Sequence, residues 1–136
     1  MEDHKYAEFA HDVFVTACEG GINHWADVSN YFWLSKKHSH MTWRGWSAKL
    51  TVDNEDNSFS VYPLNWWTIM TGTQRLMKEY KENPPEDHNV REIDKVAKAL
   101  LLADLTDDYE SIGATQDADW ADIIVQYGLF GELVYG

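Results

Sequence analysis

Asp53-Asn54-Glu55-Asp56-Asn57 is a run of turn-forming residues set between two segments rich in β-formers, Trp43 to Val52 and Phe59 to Leu64. Such a run reads as a hairpin loop, so the middle of the chain is committed to an antiparallel strand pair. The residues after the second strand narrow the fold further. Asn65 stands where a helix N-cap belongs, and Trp66, Ile69, Met70, Thr73, Leu76 and Met77 recur at the spacing of one helical face. A helix is therefore predicted from Trp66 to about Tyr80, with Pro84 and Pro85 after it as a stop. Trp66 and Trp67 lie about 100° apart on that helix, so one is expected to face the core and the other to cover the sheet or lie at an interface.

Helical periodicity recurs towards both ends of the chain. Tyr6, Phe9, Ala10, Val13, Phe14 and Ala17 form a helix stripe over Lys5 to Cys18, and Gly20-Gly21 supplies its end. Ile22 to Leu34 is aromatic without a clean period; it fits strand or short helix and is read as strand. Ile93, Val96, Ala97, Leu100 and Leu101 mark a helix from about Val90 to Ala103; Leu105 to Gln116 reads as loop. A last helix is expected over Asp117 to Tyr127, where Asp117, Asp119 and Asp122 suit the positive end of the macrodipole, and Glu132 to Tyr135 is expected as a short terminal strand. Helices and strands are segregated rather than alternating, which makes the fold class α+β: a small antiparallel sheet packed against about four helices. With 136 residues, no repeat and no linker, one domain spanning residues 1–136 is expected.

Cys18 is the only cysteine, so neither an intramolecular disulfide nor a thiolate zinc cage can form within one chain. The start, Met1-Glu2-Asp3-His4-Lys5, lacks the basic and apolar regions of a signal peptide, and no stretch approaches the roughly 18 apolar residues of a membrane span. A cytosolic location without membrane contact is the expectation. The net charge of −12 disfavours direct nucleic-acid binding, which relies on Lys and Arg displacing counterions. The charge is unevenly placed. Val28 to Val52 has no acidic residue and carries Lys36, Lys37, Arg44 and Lys49, whereas Leu101 to Gly136 has eight acidic residues and no basic one.

Candidate chemistry is sparse. His38 and His40 could share a strand face as metal ligands, but no third ligand accompanies them. Cys18 and His24 invite a nucleophile–base reading, yet Cys18 falls on or near the apolar stripe of the first helix, where a buried structural thiol is expected. Asp104, Asp107, Asp108 and Glu110 show no spacing that singles out an acid–base pair. No P-loop, dinucleotide fingerprint or nucleophile elbow occurs, so neither catalysis nor a cofactor nor a metal is expected. The richest constellation is Trp33, Lys36, Lys37, His40, Trp43, Arg44 and Trp46. Aromatic faces stack on bases for roughly 1–3 kcal/mol each and cations hold phosphate, so this mixture suits a nucleotide-type ligand. Strand alternation would put Arg44 and Trp46 on one face, in one pocket, unless these rings belong to the core.

Glu19-Gly20-Gly21-Ile22-Asn23-His24-Trp25-Ala26 and the closing Ile123-Ile124-Val125-Gln126-Tyr127-Gly128-Leu129-Phe130-Gly131-Glu132-Leu133-Val134-Tyr135-Gly136, with the hairpin-then-helix middle between them, resemble a group of small uncharacterised proteins encoded by tailed phages of Gram-positive hosts. The resemblance implies a phage origin, an architecture and residence in the host cytoplasm, but no catalytic residue. Two roles then fit a phage protein without an enzyme motif. One is a sponge, alone or as a homo-oligomer, that sequesters a nucleotide-derived immune signal in the aromatic and basic pocket. The other is an acidic mimic of nucleic acid in which Asp104, Asp107, Asp108, Glu110, Asp117 and Asp119 occupy the basic groove of a host defence nuclease.

Overall fold

The computed structural model describes residues 4–32, 45–86, 88–113 and 116–136. Helix α1 (His4–Thr16) buries the predicted stripe of Phe9, Ala10, Val13 and Phe14, and runs into one wide π turn, Ala17–Gly21. The Ile22 carbonyl then accepts hydrogen bonds from the backbone N–H groups of Trp25 and Ala26, both at 3.1 Å. That turn delays the first strand, so β1 is Asp27–Phe32 and does not begin at Ile22; the expected end at Leu34 lies outside the described residues.

Strands β2 (Ser47–Asp53) and β3 (Phe59–Asn65) form the predicted hairpin, paired in continuous register from Ser47 opposite Asn65 to Asp53 opposite Phe59. The sheet order is β1-β2-β3, antiparallel throughout. Pro63 is tolerated because β3 is an edge and its missing N–H breaks no second ladder. One face, carrying Ala48, Leu50, Val52 and Leu64, is buried; the other exposes Lys49, Phe59 and Val61.

Asn65 caps α2 (Trp66–Glu82) as expected: its side chain accepts from the N–H groups of Trp67 (2.9 Å) and Thr68 (3.3 Å), while Thr68 Oγ1 accepts from Asn65 N–H at 3.2 Å. Trp66 is the ring that enters the core, and Trp67 stays exposed. Helices α3 (Glu92–Thr106), α4 (Tyr109–Gly113) and α5 (Ala118–Phe130) complete the structure. The short α4 corrects the loop expected over Leu105 to Gln116. Its anchor is buried Tyr109, whose ring lies 5.0 Å from Tyr6 and 5.6 Å from Phe9, a tertiary contact that holds a segment too short to show a period.

Helices α2 and α5 cross closely through two glycines. A Cβ at Gly72 would sit 2.1 Å from the Ile124 carbonyl oxygen, and one at Gly128 would sit 2.1 Å from that of Thr68. Arg75 then reaches across to donate to the Tyr127 and Gly128 carbonyls near the end of α5 at 2.8 and 3.3 Å. Gly131, in the left-handed region at φ 77°, terminates α5 and returns its N–H to Tyr127 O. Beyond it the chain is extended but is not the predicted strand. Side chains, rather than a neighbouring strand, take up its backbone groups. No helix among the described residues is long and apolar enough to cross a membrane.

Candidate functional site

Of the predicted ligand-binding residues, Trp33, Lys36, Lys37, His40, Trp43 and Arg44 lie outside the described residues, as does His38. Trp46 does not, and the structure places it in the core rather than in a pocket with Arg44. It is fully buried, with its ring 4.6 Å from Phe14, 6.0 Å from His11 and 6.4 Å from Trp66. The cause is phase: Trp46 alternates with exposed Ser47 and falls in step with buried Ala48, Leu50 and Val52. A ring with no exposed surface among core aromatics offers no face to a nucleobase.

The acidic set is displayed quite differently. Asp104, Asp107, Asp108 and Glu110 gather where α3 turns into α4, Asp117 and Asp119 flank the start of α5, and all six are exposed. Several also shape the backbone that presents them. Asp104 accepts from the buried Tyr109 hydroxyl at 3.1 Å, Asp108 accepts from Ser111 N–H and Oγ at 3.2 and 2.7 Å, and Asp117 accepts from Trp120 N–H at 3.0 Å. Asp107 ends α3 in the left-handed conformation, φ 54°, which Asp tolerates better than most residues. Asp104, Asp108 and Asp117 are thus held by local hydrogen bonds.

A second constellation, not singled out from the sequence, joins the turn after α1 to α5 and the end of the chain. Asp122 Oδ1 accepts from Trp25 Nε1 at 2.7 Å and from Gln126 Nε2 at 2.9 Å, and Asp122 Oδ2 lies 3.5 Å from His24 Nε2. Gln126, fully buried, also donates to Tyr135 O at 2.9 Å and accepts from Val134 and Tyr135 N–H at 2.8 Å each. Tyr135 lies parallel on Trp25 at 5.0 Å. One amide and one carboxylate therefore dock the C-terminal tail onto the turn after α1. The signal for them is an Asp and a Gln four apart on the apolar side of a helix, where polar groups are buried only with partners. Cys18 is buried behind this turn, its thiol pushed up to about 12 by burial, with Glu19 adding repulsion. His24, the candidate base for that thiol, faces Asp122 instead.

Gln126→Leu should cost about 2 kcal/mol, because it removes one donor from Asp122 and strands three tail groups. Backbone amides of Val134 and Tyr135 are expected to exchange with solvent at unstructured rates while the helix content is kept. Retained protection at those two amides would show that the tail is held some other way.

Two cavities flank this end of the molecule. One, of about 340 Å³, is bounded by His24, Trp25, Asp27, Asp53 and Tyr135; the other, of about 440 Å³, lies at the start of α3. Among the described residues, no group of three His, Cys, Asp or Glu side chains is arranged to hold a metal ion. Comparison with known proteins finds no family model that matches this chain, no curated protein similar to it and no solved structure that shares its fold closely enough to count.

Proposed function

We propose that this chain is a non-enzymatic, phage-encoded binding protein that sets its acidic corner into the basic nucleic-acid groove of a host defence nuclease and so inhibits it. The observation that carries this reading is the display of Asp104, Asp107, Asp108, Glu110, Asp117 and Asp119, all exposed along the turn from α3 through α4 into α5, on a stretch without a basic residue. Exposed carboxylates, three of them held by local hydrogen bonds, imitate the spaced charges of a phosphate backbone and accelerate encounter with a cationic groove. Among the described residues, Trp46 lies in the core rather than in a pocket, and the two cavities described above are lined by carboxylates that repel an anionic nucleotide.

The test is capture from host lysate on immobilised protein, with duplex DNA as competitor. A nuclease is expected on the matrix at about 50 mM salt, released by DNA and by salt near 300 mM, where screening shortens to a few ångströms. The triple variant Asp107→Asn, Glu110→Gln, Asp119→Asn leaves the bonds accepted by Asp104, Asp108 and Asp117 in place and should weaken capture about tenfold or more. Capture indifferent to that variant and to DNA would sink the proposal. A clear thermal stabilisation by a cyclic dinucleotide, recovered intact, would restore the sponge.

A further inference from the structure

The cavity of about 440 Å³ at the start of α3 has an apolar floor and a carboxylate rim. Its floor is Ile93, Ile123 and the ring of Tyr127, all buried, with Leu133 of the docked tail closing one side. Its rim carries Glu79, Glu92 and Glu132. Arg91 also borders it, but that guanidinium is already engaged by Asp94, with Nε 3.1 Å from Oδ2 and Nη2 3.2 Å from Oδ1. Glu79 is held in place by the Tyr127 hydroxyl, which donates to Oε2 at 2.6 Å. Glu92 makes a long, exposed contact with Lys95 at 3.8 Å. The result is a recess of the size that takes small organic molecules, roughly 300–1,000 Å³, whose uncompensated charge is negative and whose base is hydrocarbon.

That combination selects its ligand by chemistry. A bare metal ion has no use for Ile93, Ile123 and Leu133, and an anion is repelled by three carboxylates. A hydrocarbon stem ending in ammonium groups satisfies both parts, laying its methylenes on the floor and its charges against the rim. We propose that this cavity is a binding site for an alkylammonium group, supplied by a free polyamine or by a lysine side chain of a protein partner. The site is separate from Asp104, Asp107, Asp108 and Glu110: it lies at the beginning of α3 and they lie at or beyond its end, roughly 20 Å away at the helical rise, whereas Asp119 stands one turn before Ile123 on α5.

The experiment is calorimetric titration of the whole chain in about 150 mM salt with spermidine, with a blocked tri-lysine peptide and with magnesium chloride, an ionic strength at which unpaired surface charge is largely screened. Saturable one-to-one binding of spermidine or the peptide is expected, about tenfold weaker in Glu79→Gln and in Glu132→Gln, and unchanged in Asp107→Asn. Glu132 is on the exposed tail, so its variant remains informative if Glu79→Gln disturbs the fold. Spermidine binding alone identifies a free polyamine; peptide binding at least as tight identifies a lysine side chain. The proposal is overturned by non-saturable heats, by equal affinity in both Gln variants, or by magnesium displacing spermidine at equal charge. Because Asp107→Asn reports only on the acidic corner, the failure of either idea is recognisable without the other.

Discussion

Trp46→Ala is expected to unfold some 10–20 °C below the parent chain, a cost of about 3–5 kcal/mol read by circular dichroism on heating, at about 3–5 °C per kcal/mol for a domain of this length. The ring is fully buried and packs against Phe14, His11 and Trp66, so its removal leaves a hole bounded by other large rings that cannot all collapse into it. Trp46→Phe should cost much less, about 1–2 kcal/mol. It keeps most of the packing and removes the indole N–H, which is buried without a hydrogen-bond partner among the described residues. A ring whose task was to stack on a ligand would give the opposite pattern: an unchanged melting temperature in both variants, and binding lost in Trp46→Ala. That pattern would return Trp46 to a pocket.

Gly72→Ala should be nearly as damaging, at about 3 kcal/mol or more and a fall of roughly 10 °C. The added carbon would lie 2.1 Å from the Ile124 carbonyl oxygen and 3.0 Å from the Gly128 nitrogen. Both are backbone atoms, so no change of rotamer relieves the contact and α2 and α5 must move apart. Separation would also stretch the bonds from Arg75 to the Tyr127 and Gly128 carbonyls. Gly128→Ala meets the same crossing from the other side, and the double variant should cost less than the sum, since one separation relieves both contacts. Gly20→Ala is the control: nothing lies within 4 Å of its Cβ position, and the melting temperature should scarcely change. Equal melting temperatures for Gly72→Ala and Gly20→Ala would contradict the close crossing.

The elements legible in the sequence are those whose signal is local. Asn65 and Thr68 complete each other's hydrogen bonds within four residues, and the loop from Asp53 to Asn57 closes through side chains of Asn54, Asp56 and Ser58. The burial of Trp46 is legible too. It is in phase with Ala48, Leu50 and Val52, and that alternation carries more information than the cations near it. By contrast, α4 spans five residues and shows no period of its own; Tyr109 docking on Tyr6 and Phe9 anchors it to the core. The tail from Glu132 to Tyr135 has the composition of a strand, but its partner is the Gln126 amide on α5.

What the sequence by itself determined about this protein is its α+β class, the hairpin, the four longer helices before and after it, and a charge pattern with acid concentrated after Leu101. Those come from capping, turn chemistry and periodicity, which act over a few neighbouring residues. Only the tertiary structure decided which of Trp66 and Trp67 is inside, that Gly72 and Gly128 bring two helices into backbone contact, and that His24 and Trp25 meet Asp122 nearly a hundred residues on. Each of these depends on which surfaces cover one another, and that is settled by packing between segments whose separation along the chain leaves no periodic trace.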